Sequence, residues 1–66
     1  MTTAQQIQEV LKVGATYYEG LHTEWTYIKP TAAGFVFRAQ DGLTTTFEVN
    51  DIAMLASVKG SERCII

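Results

Sequence analysis

The sequence predicts an α+β fold, a two-layer sandwich in which an N-terminal helix and a short C-terminal helix cover one face of a three-stranded antiparallel meander (α-β-β-β-α). Apolar residues near the N-terminus recur with the spacing of a helix. Those between positions 24 and 49 alternate as in strands, and a second helical spacing follows. Because the chain has 66 residues, we expect one small domain spanning residues 1–66.

An N-terminal amphipathic helix is predicted over residues 3–14. Thr3 and Gln6 have the spacing of a capping box, which satisfies free N–H groups at the start of a helix. Gly14 is suited to end the helix, because glycine readily adopts the left-handed conformation found there. Residues 15–19 are interpreted either as one more helical turn or as part of a connector. The apolar face of this helix consists of Ile7, Val10 and Leu11.

Three strands are predicted where β-branched and aromatic residues dominate the sequence. Pro30 is expected to end the first strand, because proline has no N–H group to contribute to the ladder. Glycine-containing turns separate the strands from one another. The predicted strands cover residues 24–29, 35–39 and 43–49.

The loop between the second and third strands determines how these strands pair. A two-residue loop at Asp41 and Gly42 would place their aromatic residues on opposite faces of the sheet. A three-residue loop, with Gly42 in the left-handed bulge position, instead pairs Phe35 with Phe47 on one face. We prefer the three-residue loop, because burial selects the register that collects the apolar residues. The apolar face then carries Phe35, Phe37, Ala39, Leu43, Thr45, Phe47 and Val49, and the opposite face carries Val36, Arg38, Thr44, Thr46 and Glu48.

The first strand has two possible registers. If Lys29 pairs with Phe35, the side chains of Trp25 and Tyr27 join the apolar face. If Ile28 pairs with Phe35, both aromatic side chains point outward. We favour the first register, because it buries more aromatic surface area.

A second, short helix is predicted over residues 51–59. Asn50 and Asp51 are candidate N-caps, since their side-chain oxygens accept hydrogen bonds from free N–H groups at a helix start. Gly60 is expected to end the helix. The apolar stripe consists of Ile52, Leu55 and Ala56, with Met54 and Val58 at its margins.

Charge and cysteine content exclude several classes of protein. Five basic and seven acidic residues leave a net charge of −2, which argues against affinity that depends on neutralising phosphates. Cys64 is the one cysteine and cannot form an internal disulfide, so we expect a reducing, cytoplasmic location. No apolar run has the ~20 residues needed to span a bilayer. The N-terminus lacks the features of a signal peptide.

The sequence contains no recognisable catalytic or metal-binding set. Zinc needs clustered His, Cys or carboxylate ligands, whereas His22 and Cys64 lie far apart in the chain. Cys64 is also too close to the C-terminus to be positioned well as a nucleophile with His22 as its base. The glycines match no phosphate-binding motif. We therefore predict no enzymatic activity, no metal and no cofactor.

The leading functional prediction is a small protein-binding module. It would act as an adaptor or as a steric inhibitor of a partner protein, and it belongs to a type of compact chain that phages and mobile elements encode. A homodimer is expected, because a chain of this length buries too little surface to offset the entropy of folding comfortably. The candidate contact residues are Tyr17, Tyr18, Ile28, Val36, Arg38, Ile65 and Ile66.

The alternative prediction is a nucleic-acid-binding regulator. In the outward register of the first strand, Trp25 and Tyr27 would lie beside Arg38 and Lys29 on one face of the sheet. Aromatic rings next to cations form a platform on which single-stranded bases stack. The position of the two aromatic side chains therefore separates the two functional predictions.

Overall fold

The computed structural model describes residues 4–61 and 63–65, which form a two-layer α+β fold. The predicted fold class is confirmed, but the sheet has four antiparallel strands instead of three, in the spatial order β1-β2-β3-β4. No helix in the described part of the chain is long and apolar enough to cross a membrane. The elements are α1 (Ala4–Val10), β1 (Thr16–Glu19), β2 (Thr23–Thr31), β3 (Gly34–Ala39), β4 (Thr44–Phe47) and α2 (Val49–Ile52).

The additional strand is β1, in residues predicted to form a helical turn or a connector. It pairs with β2, and Tyr17 lies opposite Trp25. On its other side, the Tyr18 N–H donates to the Ala56 carbonyl and the Ala56 N–H donates to the Tyr18 carbonyl, both at 2.8 Å. A four-residue strand carries too little periodicity to identify it in sequence. Strand β2 follows β1 after a three-residue turn, whereas the other backbone partner of β1, Ala56, lies far along the chain.

Helix α1 ends at Val10, about one turn before the predicted end at Gly14. Gly14 does adopt a left-handed conformation, with φ of 85°, but it belongs to the turn that leads into the sheet. Its N–H donates to the Tyr27 carbonyl at 2.8 Å, and the Tyr27 N–H donates to the Ala15 carbonyl at 3.0 Å. Backbone pairing with β2 thus replaces the last helical turn. Thr3, the predicted cap, lies outside the described residues.

The β3–β4 hairpin has the predicted three-residue loop. Phe35 lies opposite Phe47, and the Ala39 N–H donates to the Leu43 carbonyl at 2.7 Å. Gly42 occupies the left-handed position with φ of 92°. The alternation of apolar residues was sufficient to select this register, because a slip of one residue would turn the aromatic side chains away from the core.

The β2–β3 pairing follows the favoured register only in its first half. Trp25 and Tyr27 are on the apolar face, as predicted. A bulge at Ile28 then shifts the pairing by one residue, so that Lys29 lies opposite Val36 and not Phe35. The bulge inserts one extra residue into β2, which the alternation pattern did not reveal.

Pro30 does not end the first predicted strand, because β2 continues to Thr31. Pro30 lies opposite Phe35 in the ladder with β3. Strand β1 pairs only with residues 23–26, so this half of β2 is an edge on the β1 side. Proline is tolerated at an edge, since its missing N–H costs no ladder hydrogen bond there.

Helix α2 begins earlier than predicted. Its N-cap is Glu48, not Asn50 or Asp51. The Asp51 carboxylate, in the first turn, accepts a hydrogen bond from the Glu48 N–H at 2.9 Å. Glu48 therefore lies at the start of a helix and not at its predicted position on the outer face of the sheet.

Helix α2 also ends earlier, at Ile52, so the predicted span of 51–59 is wrong. The chain beyond it forms turns and the backbone bridge between Ala56 and Tyr18. Leu55 and Ala56 nevertheless remain buried. The apolar spacing thus predicted which side chains are buried, whereas pairing with β1 decided the backbone conformation.

Both helices pack on the same face of the sheet. Because both helices are short, they leave the corner of the sheet around Leu43 uncovered. Leu43 is 70% exposed, and Thr45 is also exposed. The prediction that these two residues lie on the buried face is therefore wrong. Phe47 and Val49 are only partly buried. The core consists of Ile7, Leu11, Tyr17, Tyr27, Phe35, Phe37, Ile52 and Leu55.

Candidate functional site

The face of the sheet opposite the helices, named here the open face, is the main candidate surface. Side chains alternate along a strand, so the residues next to the buried ones point to this side. Antiparallel sheets commonly leave one face in water, and the composition of that face therefore matters more than its exposure. The open face carries Thr16, Tyr18, Glu24, Thr26, Ile28, Lys29, Val36, Arg38, Thr44 and Thr46.

Val36 is at the centre of the open face, and Arg38 lies two residues further along β3. On one side, Arg38 lies opposite Thr26. On the other side, Thr44 lies opposite Arg38 and Thr46 lies opposite Val36. Val36 and Thr26 are half-buried by these neighbours, whereas Arg38 is exposed. The centre of this face is thus apolar and hydroxyl-bearing, and an exposed cation lies beside it.

The contact residues predicted from the sequence do not all lie on one surface of the structure. Tyr18, Ile28, Val36 and Arg38 lie on the open face. Tyr17, by contrast, is in the core, because consecutive residues of β1 point to opposite faces. Thr16 of the open face was missed in the sequence analysis, since β1 itself was not recognised.

The Tyr17 side chain is fixed inside the core by a hydrogen bond. Its hydroxyl accepts from the Lys12 N–H at 3.0 Å, in the turn after α1. Nearby Tyr27 is almost fully buried, and this burial, together with Tyr17 to a smaller degree, raises the pKa of the Tyr27 phenol. Both tyrosines therefore serve packing, and the open face keeps only Tyr18.

Ile65, near the C-terminus, contacts the core and not the centre of the open face. The Ile65 N–H donates to the Leu55 carbonyl at 2.9 Å, and the Ile65 side chain packs against the core. Ile66, the other predicted contact of the tail, lies outside the described residues. Ile65 also lines a cleft of about 470 Å³ beside β1, whose walls are Val10, Lys12, Ala15, Thr16, Tyr17, Ser57 and Ile65.

No group of three or more potential metal ligands occurs among residues 4–61 and 63–65. Cys64 is exposed, with its thiol unpaired. His22, the other candidate ligand and base, is exposed in the turn between β1 and β2.

The four residues of the predicted base-stacking platform lie on two different faces. The Trp25 ring packs edge-on against Phe47, with ring centres 4.8 Å apart, and Tyr27 is in the core. Arg38 and Lys29 lie on the open face, on the other side of the sheet. The Trp25 indole Nε1 is buried and has no hydrogen-bond partner among the described residues.

The packing of Trp25 leads to a spectroscopic prediction. We expect the fluorescence of Trp25 to be shifted to shorter wavelengths than in the urea-unfolded chain and to resist quenching by iodide, because the indole packs against Phe47. Added single-stranded oligonucleotide is expected to leave the signal unchanged. Strong, salt-sensitive quenching by the oligonucleotide would contradict this and would revive the stacking mechanism.

Comparisons of the chain with protein-family models, with curated proteins and with solved structures found no match, so the open face must be interpreted from its own chemistry.

Proposed function

We propose that this protein is a small, non-catalytic protein-binding module whose contact surface is the open face. It would act in the cytoplasm as an adaptor or as a steric inhibitor of its partner. The observation that carries the proposal is the composition of the open face. Its centre, at Thr26, Ile28 and Val36, is half-buried and weakly polar, and exposed Lys29 and Arg38 lie next to it. Protein interfaces have this same arrangement of an apolar centre within a polar rim.

The charges on the open face indicate the chemistry of the partner. Lys29 lies opposite Val36, and Arg38 is two residues further along β3, so both cations flank the same apolar position. Glu24 is near the far end of the face, opposite Tyr18. Arginine binds carboxylates through paired N–H groups, so a partner surface with acidic residues around an apolar patch fits best.

The size of the open face limits the strength of the contact. Neighbouring strands lie about 4.8 Å apart, and each residue adds about 3.3 Å along a strand. The four strands together therefore give the open face an area of about 350 Å². A standard stable interface buries about 800 Å² on each partner. A single open face therefore suits a weak or transient complex, unless a larger surface is assembled from more than one copy.

Capture from a lysate of the native host tests this proposal. The bait is the tagged chain, compared with Arg38→Glu on the open face and with Lys59→Glu, which makes the same change in charge at an exposed position in the turn before Gly60. We expect one host protein to be captured by the wild type and by Lys59→Glu, and to be reduced at least tenfold by Arg38→Glu. Titration with the purified partner then measures the dissociation constants.

The opposite pattern would overturn the proposal. If Arg38→Glu retains the partner and Lys59→Glu loses it, the contact surface lies elsewhere. If the captured material is nucleic acid and is released by salt, the alternative class of function applies. Circular dichroism of both variants confirms that the comparison is made between folded proteins.

A further inference from the structure

The two edges of the sheet differ in how their backbone groups are satisfied. At the β1 edge, both polar backbone groups of Tyr18 bond to Ala56. At the β4 edge, no strand or bridge from the described residues pairs with the outer side. Strand β4 contains only threonines and one phenylalanine. It therefore lacks the charges, prolines and bulges that commonly protect a free edge from pairing with another chain.

The hydrogen bond that closes the β3–β4 hairpin shows which groups face outward. The Leu43 carbonyl accepts from the Ala39 N–H, so Leu43 is directed toward β3. Along an antiparallel strand, the N–H and carbonyl groups of successive residues point alternately to one neighbouring strand and to the other. The backbone groups of Thr45 and Phe47 therefore also point toward β3. Thr44 and Thr46 consequently present their N–H and carbonyl groups to the free edge.

We propose that a second copy of this chain pairs with β4 along this edge, antiparallel and related by a two-fold axis at Thr45. In this register, Thr44 of each copy lies opposite Thr46 of the other. The two pairs exchange four backbone hydrogen bonds, which use all the outward groups of Thr44 and Thr46. A strand edge is self-complementary in this arrangement, since each donor meets an acceptor.

Neighbouring registers satisfy fewer of these groups. A shift of two residues in one direction places Thr46 opposite Gly42, whose N–H already donates to the Ala39 carbonyl at 3.0 Å. A shift in the other direction places Thr44 opposite Glu48, whose N–H already donates to the Asp51 carboxylate at 2.9 Å. The register centred on Thr45 is therefore selected by backbone groups alone.

The side chains favour the same register. It places Leu43 of each copy opposite Phe47 of the other, on the face that carries the core. Leu43 is 70% exposed, and Phe47 packs against Trp25 at the corner that the helices leave uncovered. In the dimer, each copy would cover the exposed corner of the other. The acidic residues at either end, Asp41 and Glu48, fall opposite uncharged positions.

The dimer also enlarges the proposed contact surface. Residues directly opposite each other in an antiparallel ladder point to the same side, so the two open faces would join into one eight-stranded surface. Its area of about 700 Å² approaches the ~800 Å² of a standard interface. This consequence rests on the proposed function of the open face, whereas the pairing of β4 does not.

Sedimentation equilibrium between micromolar and millimolar concentrations tests the pairing, in the Cys64→Ser background to prevent disulfide-linked dimers. Leu43→Lys is compared with Val13→Lys, because both side chains are 70% exposed. We expect a dimer for the background and for Val13→Lys, and a dimer dissociation constant at least tenfold higher for Leu43→Lys. Thr46→Pro, which removes an outward N–H, is expected to weaken the dimer similarly.

A monomer at every concentration would overturn the inference, and so would a dimer that both Leu43→Lys and Thr46→Pro leave intact. Isotope-filtered NMR of a mixed labelled and unlabelled sample should show contacts between Leu43 methyl protons and the Phe47 ring across the interface. Contacts located only at other surfaces would contradict the register. The two proposals can be tested separately with Arg38→Glu. This variant is expected to lose the captured partner and to keep the dimer.

Discussion

Replacing Phe37 with alanine is expected to leave the protein largely unfolded at room temperature. Phe37 is 0% exposed, and its ring centre is 4.9 Å from that of Phe47, 5.2 Å from that of Tyr27 and 6.3 Å from that of Tyr17. Removing a buried phenylalanine ring costs about 3–5 kcal/mol. A chain of this length has a total stability of only about 3–10 kcal/mol, so the loss is comparable to the whole.

Circular dichroism during urea and thermal unfolding measures this effect. Val13→Ala is the control, because Val13 is exposed and its truncation should change the free energy of unfolding by less than about 0.5 kcal/mol. Phe37→Leu retains most of the buried apolar volume and should give an intermediate loss. Equal stability of Phe37→Ala and Val13→Ala would show that the aromatic cluster is not the centre of the core.

The second large effect is expected for Gly34→Ala, at the start of β3. Gly34 has φ of 148°, a conformation that residues with a Cβ rarely adopt. A Cβ at this position would overlap the carbonyl oxygen of Phe47 and would also lie 3.2 Å from the Thr46 Cγ2. Because the carbonyl belongs to the paired backbone of β4, it has little freedom to move. We expect a loss of about 3 kcal/mol.

Gly42→Ala is the matched control for this prediction. Gly42 also has a positive φ, of 92°, but a Cβ there would meet nothing within 4 Å. Its loss should be about 1 kcal/mol and should come from backbone strain alone. The difference between the two urea midpoints therefore isolates the collision with β4. Equal losses would mean that β3 and β4 do not approach each other this closely at Gly34.

Features that depend on local sequence were predicted well. The β3–β4 register follows from the alternation around Phe35 and Phe47 and from the turn glycine Gly42. The same alternation predicts Val36 and Arg38 on the outer face, which forms the candidate site. These inferences succeeded because a strand that buries one face tolerates no slip of a single residue.

Features that depend on distant partners were predicted poorly. Leu11 and Leu55 are buried as their spacing suggests, yet neither lies in a helix. Apolar spacing records which side chains are buried, and the backbone conformation follows from competing hydrogen bonds. Strand β1 pairs with neighbouring β2 on one side and with distant Ala56 on the other, and its four residues are too few to show an alternation, so the sequence does not place Tyr18.

Composition and alternation are enough to predict an α+β fold and the two faces of the β3–β4 hairpin. The lengths of the helices, the bulge at Ile28 and the protected β1 edge became known only from the packed chain. So did the uncovered corner at Leu43, on which the proposed pairing depends. The reason is physical: side-chain burial is encoded locally by the order of residues, whereas edges and helix ends are decided by which backbone groups find partners elsewhere in the fold.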